Sequence, residues 1–101
     1  MIIEIRSDRS VALLEPDDTG SFKLVAHRDL NDGDLADALR GIADIAPPDH
    51  AWVFQPWICE KSGLAASAEW RNSFDRMLDF ARSKRWLRAT DGAIRVHIER
   101  R

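Results

Sequence analysis

The single cysteine, Cys59, and the three histidines, His27, His50 and His97, are the residues able to act as nucleophile, general base or soft metal ligand. A cysteine nucleophile needs a thiolate beside an oriented imidazole. His50, next to Asp49, lies nine residues before Cys59. No family signature surrounds the thiol, and a lone cysteine commonly fills a small apolar space. The histidines are 23 and 47 residues apart, outside any local metal spacing such as His-x₃-His. Convergence in space is invisible in a linear sequence. Asp32-Gly33-Asp34 is acidic and would repel a phosphate, and Asp17-Asp18-Thr19-Gly20 does not follow a calcium loop. The residues therefore predict no catalytic set, no metal and no cofactor.

Binding chemistry is better represented. Trp52 and Trp57 flank Pro56, and tryptophan is favoured at binding hot spots because it buries a large area with few rotors. The string Arg82-Ser83-Lys84-Arg85-Trp86-Leu87-Arg88 places four cations in seven residues, with Arg95 shortly after. Residues 1–68 hold 6 Lys and Arg against 12 Asp and Glu, net −6; residues 69–101 hold 9 against 5, net +4. Such an asymmetry bears on partners rather than on fold.

The elements that position these residues can be read from periodicity. Ile3 and Ile5 alternate with Glu4 and Arg6, Val11 to Leu14 is a short apolar run, and Phe22 to Ala26 reads as a third strand. Turn formers separate them, so a three-stranded meander is expected. Asn31 suits an N-cap. Leu35, Leu39, Ile42 and Ala46 then recur at helical spacing up to Pro47-Pro48, which ends the stripe. Ala51 to Phe54 reads as a strand, and Gln55 to Gly63 as irregular or a single helical turn. Ser67 suits the N-cap of a longer helix whose apolar arc is Trp70, Phe74, Met77, Leu78 and Ala81, widened by Phe80. Asp91-Gly92 between alternating runs signals a hairpin from Trp86 to Ile98.

One domain over residues 1–101 follows from the length. The expected class is α+β in the order βββ-α-β-α-ββ, with a largely antiparallel sheet and two helices on one face. With 45% apolar and 32% charged residues the composition is globular. One cysteine allows no internal disulfide. No apolar run approaches the ~18 residues of a spanning helix, and early charges do not suit a signal peptide. The expectation is a cytoplasmic protein with no membrane partner.

Two functions compete. The first is a small non-catalytic domain that binds another protein, or itself as a homodimer, through Trp52, Pro56, Trp57, Trp86, Arg88 and Arg95. The second is nucleic-acid binding through Lys84, Arg85, Arg88 and Arg95. The order of helix, strand, helix and hairpin over residues 35–98, behind a β meander, resembles the winged-helix class. In that class the 88–95 hairpin would be the wing and the helix after Ser67 the reading helix. Along that helix Arg71 is spaced to pair with Asp75, and Arg76 and Arg82 with Asp79. A face neutralised by its own carboxylates gains little from counterion release, so the protein-binding reading leads.

Overall fold

The computed structural model describes all 101 residues. Nine elements follow in order: β1 (Ile2–Ile5), β2 (Val11–Leu14), β3 (Lys23–Ala26), α1 (Asp32–Ala38), β4 (Ala43–Ala46), β5 (His50–Val53), α2 (Gln55–Ser62), α3 (Ala68–Ser83) and β6 (Ile94–Arg100). The six strands form one mixed sheet in the order β2-β1-β3-β6-β5-β4. The class is α+β, with three helices rather than two and a different element order. No helix is long and apolar enough to cross a membrane.

The first three strands are not a meander. β1 pairs antiparallel with β2 on one side and parallel with β3 on the other. β2 ends at Leu14 beside Ile2, where β1 begins, and the Glu15–Phe22 connection passes across that end. β3 can then only run in the direction of β1. Two contacts hold the connection: the terminal ammonium of Met1 donates to the carbonyls of Asp18 and Ser21, both at 2.6 Å, and the Trp70 indole N–H donates to Pro16 O at 2.7 Å. Burial lowers the pKa of that ammonium.

Asn31 caps α1 with a full capping box, accepting from Asp34 N while Asp34 accepts from Asn31 N. The helix stops at Ala38, well short of Pro47. Gly41, at φ +78°, takes the left-handed turn that only glycine adopts cheaply, and Ala43–Ala46 pairs with β5 instead. Ile42 and Ala46 sit at helical spacing by coincidence. Gln55–Ser62 is a two-turn helix with Pro56 in its first turn, where the missing N–H costs nothing. Ser67 caps α3 by accepting from Trp70 N at 3.3 Å.

All three helices lie on one face of the sheet. Leu35 and Leu39 from α1, Ile58 from α2 and Trp70, Phe74 and Leu78 from α3 share one buried cluster with Ile3, Ile5, Leu24, Val53, Val96 and Ile98. Trp70 and Phe74 stack at 4.9 Å between centroids. Residues 35–98 are not an independent winged unit: β6 pairs with β3 and β5 in the middle of the sheet. The expected hairpin keeps its Asp91-Gly92 turn, with Gly92 at φ +73°, but its first arm reduces to a single bridge, Leu87 to Ile94.

Candidate binding groove

The end of α3 builds the most distinctive surface. Lys84 is its C-cap, and Arg85 follows in the left-handed conformation at φ +63°. Trp86 N donates to Ala81 O at 2.8 Å and Arg85 N to Arg82 O at 3.1 Å. That pair of bonds is a Schellman motif, which habitually brings the residue after the left-handed position against the last helical turn. Here it brings Trp86 against Phe80, edge to face at 5.8 Å between centroids. These are the two exposed large hydrophobic side chains of the protein, Phe80 at 56% and Trp86 at 37%.

Phe80 and Trp86 line a groove of about 670 Å³ with Phe22, Met77, Ala81 and Ile94. Its far bank is the Thr19–Phe22 end of the connection that the N-terminus holds in place. Arg76 stands on its rim; Arg95 also lines it, but its guanidinium reaches His50 on the open face of the sheet. Lys84 lies over the Phe80 ring at 5.6 Å, a distance at which a cation and a π face attract. Arg76, Lys84, Arg85 and Arg95 make no ion pair with a carboxylate, while Arg71 pairs with Asp75 and Arg82 with Asp79. Arg76 was expected to share Asp79; Arg82 occupies that carboxylate, and Arg76 Nε donates instead to Asn72 O at 3.4 Å. A volume of this size is ordinary for a ligand site. An apolar floor flanked by the unpaired cations Arg76 and Lys84 suits an occupant that is apolar in the middle and anionic at one edge.

The other residues singled out from sequence fall elsewhere. Arg88 is held by carboxylates, with Nη2 at 2.7 Å from Asp91 Oδ2 and 2.9 Å from Asp44 Oδ2. Its guanidinium also lies 5.8 Å above the Trp52 ring. Trp52 is on the open face of the sheet, opposite Arg95 in the strand register. Arg88 thus ties the strand edge at β4 to the turn before β6. The hydrogen bond from Arg88 holds the Asp91 carboxyl down at about 2, and the same bond raises the Arg88 pKa. Trp57 is half-buried against the core. With exposed Pro56 it lines a separate cavity of about 500 Å³ beside Gly41, Phe54 and Glu60. Of the six residues expected to face a partner, only Trp86 and Arg95 line the groove, and the Arg95 guanidinium turns away to His50. Phe22, Arg76, Met77 and Phe80 join them. Phe80 alone carried a sequence signal, lying off the centre of the apolar arc.

Cys59 lies in α2, half-buried, with its sulfur 3.2 Å from Arg71 Nη1. His50 projects from the opposite face of the sheet, because its neighbours Ala51 and Val53 fill the helix side. The sheet separates the two, and no cysteine–histidine pair assembles. No family model, curated protein or solved structure matches this chain, so the site is read from its own geometry.

Proposed function

We propose that this chain is a small protein-binding domain whose groove receives the apolar side chains of a partner segment flanked by Asp or Glu. The observation that carries this reading is the exposed Phe80–Trp86 pair over an apolar floor, flanked by Arg76 and Lys84, two cations that no carboxylate of the chain neutralises. Aromatic anchors with arginine are the residues on which binding energy concentrates. Opposite charge at the rim speeds encounter and rejects wrong partners. The groove accommodates a few side chains, whereas a stable dimer hides about 800 Å² on each subunit. A short segment therefore fits it better than a second folded copy.

A single nucleic-acid strand is the second reading, because bases also stack on exposed aromatics beside cations. The groove's far bank argues against it. That bank continues from Glu15, Asp17 and Asp18, which would repel a strand charged at every phosphate, whereas a peptide can place its few carboxylates on the Arg76 and Lys84 side alone.

Selection from a displayed random-peptide library separates these readings. Enriched peptides should carry one or two large apolar residues flanked by Asp or Glu, and should lose binding to Phe80→Ser and to Arg76→Glu. Peptides that bind Phe80→Ser as well as the parent would sink the proposal. Gel shifts with random single-stranded and duplex DNA at ~50 mM salt, where non-specific binding is strongest, should show no complex. A shift abolished by Lys84→Glu would favour the nucleic-acid reading. A dimer seen by sedimentation that Phe80→Ser dissolves would replace the peptide with a second copy.

A further inference from the structure

The open face of the sheet carries a side-chain cluster that the groove does not use. His50 on β5 stands directly opposite His97 on β6, their rings edge to face with centroids 5.6 Å apart. Asp49, in the turn before β5, is fixed by its carbonyl, which accepts from Ile98 N at 2.7 Å. Its carboxylate reaches both rings: Oδ1 is 2.8 Å from His50 Nδ1, and Oδ2 is 3.7 Å from His97 Nδ1. One donor atom from each of the three residues lies within 4.8 Å of the others.

The geometry points to a binding site for a divalent transition ion of the zinc class, held by Asp49, His50 and His97, with its outer coordination positions open to water. Two imidazoles and a carboxylate are a donor set for zinc and its neighbours, whereas magnesium and calcium take oxygen ligands. With metal–ligand bonds of about 2.0–2.1 Å, ligand atoms around a tetrahedral ion sit about 3.4 Å apart. The carboxylate–imidazole separations, 2.8 Å from Asp49 Oδ1 to His50 and 3.7 Å from Oδ2 to His97, lie to either side of that distance, so a turn of the exposed carboxylate lets one oxygen serve the ion. The imidazole–imidazole edge closes by rotating the His97 side chain, which is 57% exposed. Directly opposed residues on antiparallel strands already hold their Cβ atoms about 4.5–5.5 Å apart, so the backbone need not move.

Two cations face the cluster. Lys23, opposite His97 on β3, is engaged by Glu99 at 3.3 Å. Arg95 Nη2 lies 3.4 Å from His50 Nδ1, and no carboxylate holds it. Arg95 must swing aside for the ion to enter, so it opposes binding. A merely structural histidine pair would show no such opposition.

The test is titration of chelator-treated protein with zinc alone, followed calorimetrically. One zinc should bind per chain. Losing an outer partner of a metal ligand costs about 10–100-fold in affinity, so His50→Ala and His97→Ala should each weaken binding at least about tenfold. His27→Ala, at the third histidine, should leave it unchanged, and Arg95→Ala should tighten it several-fold. A readout on the parent protein avoids variants that fail to fold: sub-stoichiometric nickel should broaden the ring-proton NMR signals of His50 and His97 before those of His27. No zinc binding at millimolar concentration, equal broadening of all three histidines, or undiminished binding by both His50→Ala and His97→Ala would overturn the assignment.

Discussion

Arg88 and the Phe80–Trp86 groove are built from the same materials, an arginine beside a tryptophan at the end of α3, yet they differ in what surrounds the charge. Arg88 is answered by two carboxylates, Asp91 and Asp44, and lies over Trp52. Arg76 and Lys84 have no carboxylate, and the aromatics beside them are exposed. The first arrangement closes on itself and joins distant parts of the chain. The second leaves charge and apolar surface unanswered, which is what the proposed binding groove requires. A basic, aromatic stretch of sequence thus divides by its partners: Leu87 and Arg88 belong to the fold, and Lys84, Arg85 and Trp86 to the surface.

The comparison can be broken hardest from the core. Phe74 is fully buried and stacked on Trp70 beneath the groove-bearing helix. Phe74→Ala should cost about 3–5 kcal/mol in chemical denaturation, abolishing groove and Arg88 linkage together. Next in size is Arg85, which holds a left-handed conformation suited to glycine. Arg85→Gly should stabilise the protein by about 1 kcal/mol while weakening binding of an acidic peptide. A variant that is more stable and binds no less would show that Arg85 has no part in the groove. Phe80→Ala removes an exposed ring, and its stability should stay within about 0.5 kcal/mol of the parent although peptide binding disappears. A large drop in stability would mean that Phe80 belongs to the core.

The smallest effect should come from the closed side. Asp91 has its carboxyl held at about 2 rather than its ordinary 3.8. Its folded pKa lies below its unfolded one, so its stabilisation is complete above pH 3.8 and is lost as the pH falls toward 2. Asp91→Asn should lower the Tm slightly at neutral pH, and the gap to the parent should close below about pH 2. A gap that stays constant through that window would remove the Arg88–Asp91 pair from the account. Peptide affinity should be the same in both proteins.

Local signals carried much of this fold. The caps at Asn31 and Ser67, the apolar arc of α3 and the alternation in β1 and β6 were all legible, since each depends on neighbours within a turn or a strand. The parallel pairing of β1 with β3 was not, because it depends on how the Glu15–Phe22 connection is held by Met1 and Trp70. β4 was hidden because Ile42 and Ala46 fall at helical spacing from Leu35 and Leu39. The site was legible only in part. Trp86 and Arg95 were visible as residue types. The orientation of Trp86 onto Phe80 rests on an arginine in a glycine-like conformation, which propensity does not favour. The meeting of Arg88 with Asp44 spans 44 residues, and the facing of His50 and His97 needs the β5–β6 register.

The most direct test of the central claim is an amide chemical-shift map of the labelled protein titrated with a selected acidic, apolar peptide. Shifts should concentrate at Ser73–Trp86, Thr19–Phe22 and Ile94–Arg95, leaving Pro56, Trp57 and the Arg88–Asp91 turn nearly unmoved. Shifts centred on Trp57 and Pro56, or on the open face around Trp52, would contradict it.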